Sequence, residues 1–395
     1  MATVADVSRT ASELKDQTIA LRREFHQHPE LAYEEVDTAA RIVSRLQALG
    51  LQVESGIGVT GVLAFLEGAR PGKTVLIRAD MDALPMPEEP ADRPHRSQIE
   101  NRNHACGHDM NMALAVATAE VLARHRDQIS GQVAFVFQPG DEPQTGAKRM
   151  IDDGLWDKVS PDYVITHHPT PEAEAGKVVI PDTVWCSMDI QKLTIKGNPG
   201  WFGRRQDAVD AALIASQLMN ALYPAMLGGG SALQPVYFNV SGMQGKGMAP
   251  GLAMGEAELQ LTLWLYDKEL RDRLMERMHA IIDSTVKAMG GTYEIESLHS
   301  LPPAVNSPEV IGVVEDIARE LVGEGNVIRQ WRNVFPDDSA LFLEKAPGCM
   351  FLLGTNNAAK GIDKMWHQPG FDIDEETLPL GVSIMAQATL NLLAR

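Results

Sequence analysis

Cysteine is scarce in this chain: Cys106, Cys186 and Cys349 are the only three among 395 residues. Their odd number and wide spacing exclude a disulfide framework and fit a compartment that keeps thiols reduced. Positive charge is scarce too. Thirty-five Lys and Arg stand against 53 Asp and Glu, and the resulting net charge of −18 repels phosphate backbones and anionic lipid surfaces. Nucleic acid and membrane are therefore not expected partners. No apolar run is long enough to cross a bilayer, and the first residues, MATVADVSRTASELKDQ, lack the basic start and apolar stretch of a secretory signal. A cytoplasmic location is the expectation. Internal repeats and low-complexity tracts are also missing, GGGS near Gly228 being only a local loop.

What the chain has is enough apolar residue, 44%, to bury a sizeable interior, and enough length for two domains. Ser12 to His28, Tyr33 to Leu49 and Met110 to His125 read as helices. GVLAFLEG, TVLIRAD, QVAFVFQP and DYVITHH read as short apolar strands between helical stretches. Strands alternating with helices argue for a layered α/β domain around a mainly parallel sheet. After Met188 the rhythm becomes strand DIQKLTIKG, helix Asp207 to Leu222, strands QPVYFNVSGM and AELQLTLWLY, helix Asp267 to Met289 and strand GTYEIESLH. That βαββαβ order describes a ferredoxin-like α+β unit over residues 188–301, inserted into a catalytic domain of residues 1–187 and 302–395.

Polar residues of the metal-binding type gather at the ends of the apolar strands, where α/β sheets place their binding groups. TVLIRAD ends at Asp80, with Asp82 two residues on; QVAFVFQP runs into Gly140, Asp141 and Glu142; DYVITHH ends in His167 and His168. The segment HACGHD carries Cys106, His108 and Asp109 ahead of a helix, and MWHQPGFD carries His367. Taken singly, each has an ordinary structural explanation: a helix cap at Asp109, an inert buried thiol, a satisfied core histidine, an Arg78–Asp82 ion pair. Taken together they are better explained by a metal. Thiolate, imidazole and carboxylate in one set suit Zn, Mn, Co or Ni, whereas Ca and Mg prefer oxygen alone.

The blocks HQHPE, RADMDALPMPEE, HACGHD, FQPGDE with GAKRMI, and HQPGFDIDEETLPLG follow one another along nearly the whole chain. In this order they resemble the aminoacylase and carboxypeptidase family of metal-dependent amidohydrolases, in the branch of indole-acetyl-amino-acid and hippurate hydrolases. The resemblance implies a zinc-peptidase-like catalytic domain with an inserted lid or dimerisation domain. It implies Cys106, His108, Glu142, His168 and His367 as ligands of one or two divalent ions, Mn or Zn, with His168 chosen over His167 because Gly176 then matches the family's following glycine. It also implies Asp80 as the carboxylate that orients a ligand histidine, and homodimers or larger homo-oligomers through the insert. The family's general base, normally glutamate, falls on Asp141, which has the same chemistry and a shorter reach.

Other positions depart from the family. Its histidine that polarises the scissile carbonyl is matched by Trp201 in GNPGWFG, and its carboxylate-gripping arginine by Trp264 in LTLWLY. With Phe202 and His167 these indoles are candidates for an aromatic-lined pocket; lid packing or a dimer contact explains them equally well. Retained ligands with lost polar clamps suggest an altered electrophile. The chain is similar in this respect to the family's aminohydrolases of 5-nitroanthranilate, which yield 5-nitrosalicylate and ammonia. Hydrolytic deamination of an activated aminobenzoate is accordingly one expectation, with Arg204, Arg205, Arg329 or Arg332 on its carboxylate. The alternatives are hydrolysis of N-acyl or aryl-amide amino acid conjugates, and a non-catalytic receptor for an aromatic ligand.

Overall fold

The structure, a computed structural model, describes residues 2–231, 234–247 and 249–395, apart from the side chains of Phe202, Arg205 and Lys246. Among the described residues fourteen strands follow in chain order: β1 Gln52–Ile57, β2 Gly61–Glu67, β3 Arg70–Asp80, β4 Ser130–Gln138, β5 Tyr163–Glu174, β6 Val178–Val179, β7 Thr183–Trp185, β8 Met188–Lys196, β9 Val236–Lys246, β10 Glu256–Leu265, β11 Thr292–Leu301, β12 Ala304–Val305, β13 Val327–Ile328 and β14 Gly348–Asn356. They belong to two compact units.

Unit 1 comprises Met1–Val184, Ala304–Arg332 and Asp337–Arg395. Its eight-stranded sheet has the order β1-β2-β4-β3-β5-β14-β6-β13. The centre is parallel, β4 with β3, β3 with β5 and β5 with β14, while β1 and β2 are added antiparallel at one side. Parallel strands need both faces covered. Val75, Leu76, Ile77, Val133, Phe135, Phe137, Val164 and Ile165 are accordingly shut off from solvent on both sides. Helix His108–Arg124 is buried nearly all round, as befits a helix in the interior of a layered domain.

Unit 2 comprises Trp185–Pro303 and Asn333–Pro336. Its antiparallel sheet, β11-β8-β10-β9, carries helices Ala211–Leu227 and Lys268–Ala288 in the order βαββαβ, which is a ferredoxin-like topology. Alternation along β10 turns Leu259, Leu261 and Leu263 inward, and Lys268–Ala288 meets the same core with Leu270, Leu274, Met278, Ile282 and Val286, one every four residues. Each such side chain contributes roughly 1.5–3 kcal/mol on burial.

Four helix boundaries differ from the sequence reading, each for a local reason. Thr3 and Asp6 form a capping box that starts the first helix at Val4, and a break at Leu14 divides it from Lys15–Gln27. Tyr33 takes a left-handed φ of +66°, so the next helix begins only at Val36. Gly107, not Asp109, occupies the N-cap of the third, which therefore starts at His108. In unit 2, Asp210 caps Ala211–Leu227 through the Ala212 N–H, so that helix starts and ends later than expected. Among the described residues no helix is long and apolar enough to cross a membrane.

Candidate metal centre

The ends of β3 and β4 and the middle of β5 meet at the start of helix His108–Arg124. Gly107 makes the approach possible. Its φ is +93°, and a Cβ there would lie 2.4 Å from Cγ of Pro169, inside any allowed contact. The close passage brings Cys106 Sγ to 3.6 Å from His168 Nε2.

The two buried histidines are aimed by backbone carbonyls. His108 donates from Nδ1 to the carbonyl of Asp82 at 2.8 Å, and His168 donates from Nδ1 to the carbonyl of Pro169 at 2.8 Å. Each bond fixes the tautomer and leaves Nε2 as the nitrogen that could ligate an ion. The rings stand edge to face, 5.8 Å apart. On the other side, Glu142 Oε2 lies 3.4 Å from His367 Nε2, and the His367 N–H donates to the carbonyl of Ala105, which ties the HQPGFD loop to HACGHD.

These five side chains form two triads. The ligand atoms of Cys106, His108 and His168 lie within 4.8 Å of one another, and so do those of Cys106, Glu142 and His367. The thiol belongs to both. Within this cluster His108 Nε2 and Glu142 Oε1 are buried with no hydrogen-bond partner among the described residues. Burial pushes the Glu142 carboxyl up to about 8, against the pull of His108 and with a further push from Asp82 and Asp141. Burial also lifts the Cys106 thiol well above its ordinary value, Glu142 adding to the effect, and lowers His168 to about 4. Burial would lower His108 as well, but the Asp80 and Cys106 charges carry it well above the usual histidine value. A cation would relieve these strained protonations, binding in exchange for protons. The donor set fits one or two divalent transition-metal ions.

Behind the cluster lies Arg78, fully buried. It meets Asp80 at 2.7 Å, Asp141 Oδ1 at 2.5 Å, Asp338 at 3.3 Å, Asp337 at 3.8 Å and Gln138 at 2.9 Å. Asp141 turns its other oxygen toward the cluster, Oδ2 lying 3.8 Å from His108 Nε2. Burial raises Asp337 to about 7 and lifts Asp338 well above the carboxylate range, with Asp141 adding to both and Arg78 opposing.

Three expectations need correction. The Arg78–Asp82 pair does not form: β3 ends at Asp80, the chain turns, and Asp82 accepts the N–H groups of Asp141 and Glu142, both at 3.0 Å. Asp80 does not orient a ligand histidine, since the acceptor for His108 is the Asp82 carbonyl; Asp80 holds Arg78 and accepts from Asn111 at 2.7 Å, with Oδ1 3.8 Å from His108 Nε2. His167 is not at the cluster: the pleat of β5 turns it away from His168, and it stacks on Phe351, its register partner on β14, at 6.0 Å.

Arg329 spans Glu315 and Asp182, and Arg332 is exposed. In unit 2, Arg204 pairs with Asp207 at 2.9 Å. Trp201 is 64% exposed, and half-buried Trp264 on β10 pairs its ring with Tyr237 on β9 at 5.4 Å. The side chains of Phe202 and Arg205 lie outside the described residues. Sequence reasoning missed Asp337 and Asp338, whose only signal was the adjacent acidic pair in VFPDDSA, and the role of Asp82 as a backbone acceptor.

A thiol, three imidazoles and a carboxylate brought together around the start of one buried helix, with an acid at their edge, define a metal-dependent hydrolase. Residues 76–391 match the model of peptidase family M20/M25/M40, and the chain belongs to that family. It is 32% identical over 383 residues to thermostable carboxypeptidase 1 of Saccharolobus solfataricus, covering 96% of each chain. To the N-acetylcysteine deacetylase of Bacillus subtilis it is 28% identical over 377 residues, 95% of this chain and 96% of that one. The structure matches the YxeP protein of Bacillus subtilis, a dinuclear metal-binding peptidase of the M20 family, with a TM-score of 0.80 and 27% identity over 97% of this chain and 99% of the other. The protein is thus a hydrolase of C–N bonds that works with one or two divalent ions.

Proposed function

We propose that the enzyme hydrolyses the amide bond of small N-acyl or aryl-amide amino acid conjugates. The observation that carries this reading is the placement of Asp141, one oxygen held by Arg78 and the other at the edge of the ligand set, 3.8 Å from His108 Nε2. Cys106, His108, Glu142, His168 and His367 would hold a divalent ion, which would supply acidification of the attacking water and polarisation of the carbonyl. Asp141 takes the proton of the attacking water on Oδ2 and delivers it to the departing amine. Arg78 keeps the second oxygen from turning, so the short aspartate presents one fixed acceptor. A carboxypeptidase and an N-acetylcysteine deacetylase among the relatives support an amide substrate. As part of the same proposal, the chain self-associates through strand β9, an edge of the unit 2 sheet.

A second reading, hydrolytic deamination of 5-nitroanthranilate, is kept because tryptophan stands at 201 and 264, where the family carries its carbonyl-polarising histidine and its carboxylate-gripping arginine. One assay separates the two. Manganese- or zinc-loaded protein is incubated with hippurate, N-acetyl amino acids and 5-nitroanthranilate. Free amino acid is the expected product. Production of 5-nitrosalicylate with every amide left intact would replace the first reading by the second.

A further inference from the structure

Asp141 and Glu142 are neighbours with different tasks, so the direction of each depends on the peptide planes that carry them. Three successive N–H groups there are held by two buried carboxylates. Asp82 accepts those of Asp141 and Glu142, each at 3.0 Å, and Glu35 accepts that of Gly140 at 3.0 Å.

Glu35 is oddly spent for its position. It stands at the N-cap of helix Val36–Ala48, where a carboxylate ordinarily turns back onto its own helix. That duty falls to Glu30, whose oxygens accept the N–H groups of Asp37 at 3.2 Å and Thr38 at 2.7 Å. Glu35 points inward instead, is fully buried, and uses its second oxygen to accept from the Thr60 hydroxyl at 2.6 Å. The surroundings are shaped for this contact. Gly140 has a φ of +60°, a Cβ on it would lie 2.5 Å from the ring of Tyr33, and the Tyr33 hydroxyl meets that of Thr145 at 2.5 Å. Tyr33 itself is left-handed at +66°, a conformation a non-glycine residue keeps only where its surroundings enforce it.

We propose that Glu35 is a positioning residue of the reaction: by fixing the Gly140 peptide it sends Asp141 to the attacking water and Glu142 to the ion. The proposal rests on the amide-hydrolase reading for its kinetic arm only. In Glu35→Ala, the ion-loaded enzyme loses about 10²-fold in kcat with KM little changed, as expected for reacting groups misplaced by about 1 Å. Glu35→Gln keeps an acceptor for the Gly140 N–H and restores most of the activity. Thr60→Val, which frees one oxygen of Glu35, shifts kcat in the same direction by less.

Two readouts do not need substrate: ion affinity by competition with a chelator, and the absorption spectrum of the Co(II)-loaded protein. Both shift in Glu35→Ala and return in Glu35→Gln. Wild-type kcat and spectrum in Glu35→Ala would overturn the proposal, as would loss in Glu35→Gln equal to that in Glu35→Ala. Should Glu35→Ala fail to fold, an unaltered Co(II) spectrum and kcat in Thr60→Val would overturn it. Wild-type protein inactive on every amide, with the Co(II) shift still present in Glu35→Ala, would refute the substrate reading and support the positioning role.

Discussion

Arg78 Nη2 lies 2.5 Å from Asp141 Oδ1, so the carboxylate proposed as general base is held from behind by a cation that water does not reach. The same guanidinium meets Asp80, Asp337 and Asp338. Removing it leaves four carboxylates facing one another in the interior. Arg78→Met is expected to destabilise the protein by about 3–5 kcal/mol, read from denaturant unfolding. Arg78→Lys recovers little of that, because one ammonium cannot reach partners that a planar fork contacts on several sides. A Lys variant as stable as the parent would contradict this account.

Asp141→Asn removes the proton acceptor and keeps the shape. Its kcat should fall about 10²- to 10⁴-fold while ion content stays at the wild-type level. Asp141→Glu restores a carboxylate with one more methylene and should be the more active of the two. Equal activity of Asp141→Asn and the parent would remove Asp141 from the reaction.

Because Cys106 lies in both triads and His367 in one, their substitutions should differ in kind. Cys106→Ala is expected to bind neither ion tightly, whereas His367→Ala keeps the position formed by Cys106, His108 and His168. Elemental analysis after gel filtration gives the counts. Exhaustive chelation should abolish activity, and added manganese or zinc should restore it. A Cys106→Ala protein with a full complement of ions would break the two-triad description.

How much of this could be read from the chain alone differs by kind of contact. Alternation in DYVITHH places His167 and His168 on opposite sides of a strand, and the apolar runs around Asp80, Gln138 and His168 locate the sheet, because those signals span a few residues. The partners of Arg78 were not readable: Gln138, Asp141 and Asp338 lie 60 to 260 residues away and no spacing links them. Backbone acceptors were hidden for a different reason. A carbonyl such as that of Asp82 or Pro169 carries no residue-type signature, so the Asp80 side chain looked like the orienting group when a main-chain oxygen held His108. The start of the helix at His108 depended on the left-handed Gly107, whose role appears only once Pro169 is packed against it.

A second buried network gives the pH response. Burial works against ionisation of Asp372, yet Arg22 at 2.8 Å, His95 at 3.0 Å and Arg93 hold its carboxyl well below the ordinary 3.8. Asp109 is held low likewise, burial being outweighed by Arg22 and His26. A carboxyl depressed in the folded state contributes stability above its unfolded pKa and loses it as pH falls toward the folded one. The contribution of these two carboxyls should therefore be constant near neutrality, and melting temperature should drop as pH falls below about 4. Asp372→Asn should cost about 3–5 kcal/mol at pH 7 and soften the acid limb, which differential scanning calorimetry across pH would reveal.

One sulfur atom common to both triads makes the centre open to poisoning at a single point. Cys106 alone of the three cysteines is partly exposed, the other two being buried. A thiophilic heavy metal that captured its lone pairs would disarm both triads in one event, and a divalent ion bound there would shield it.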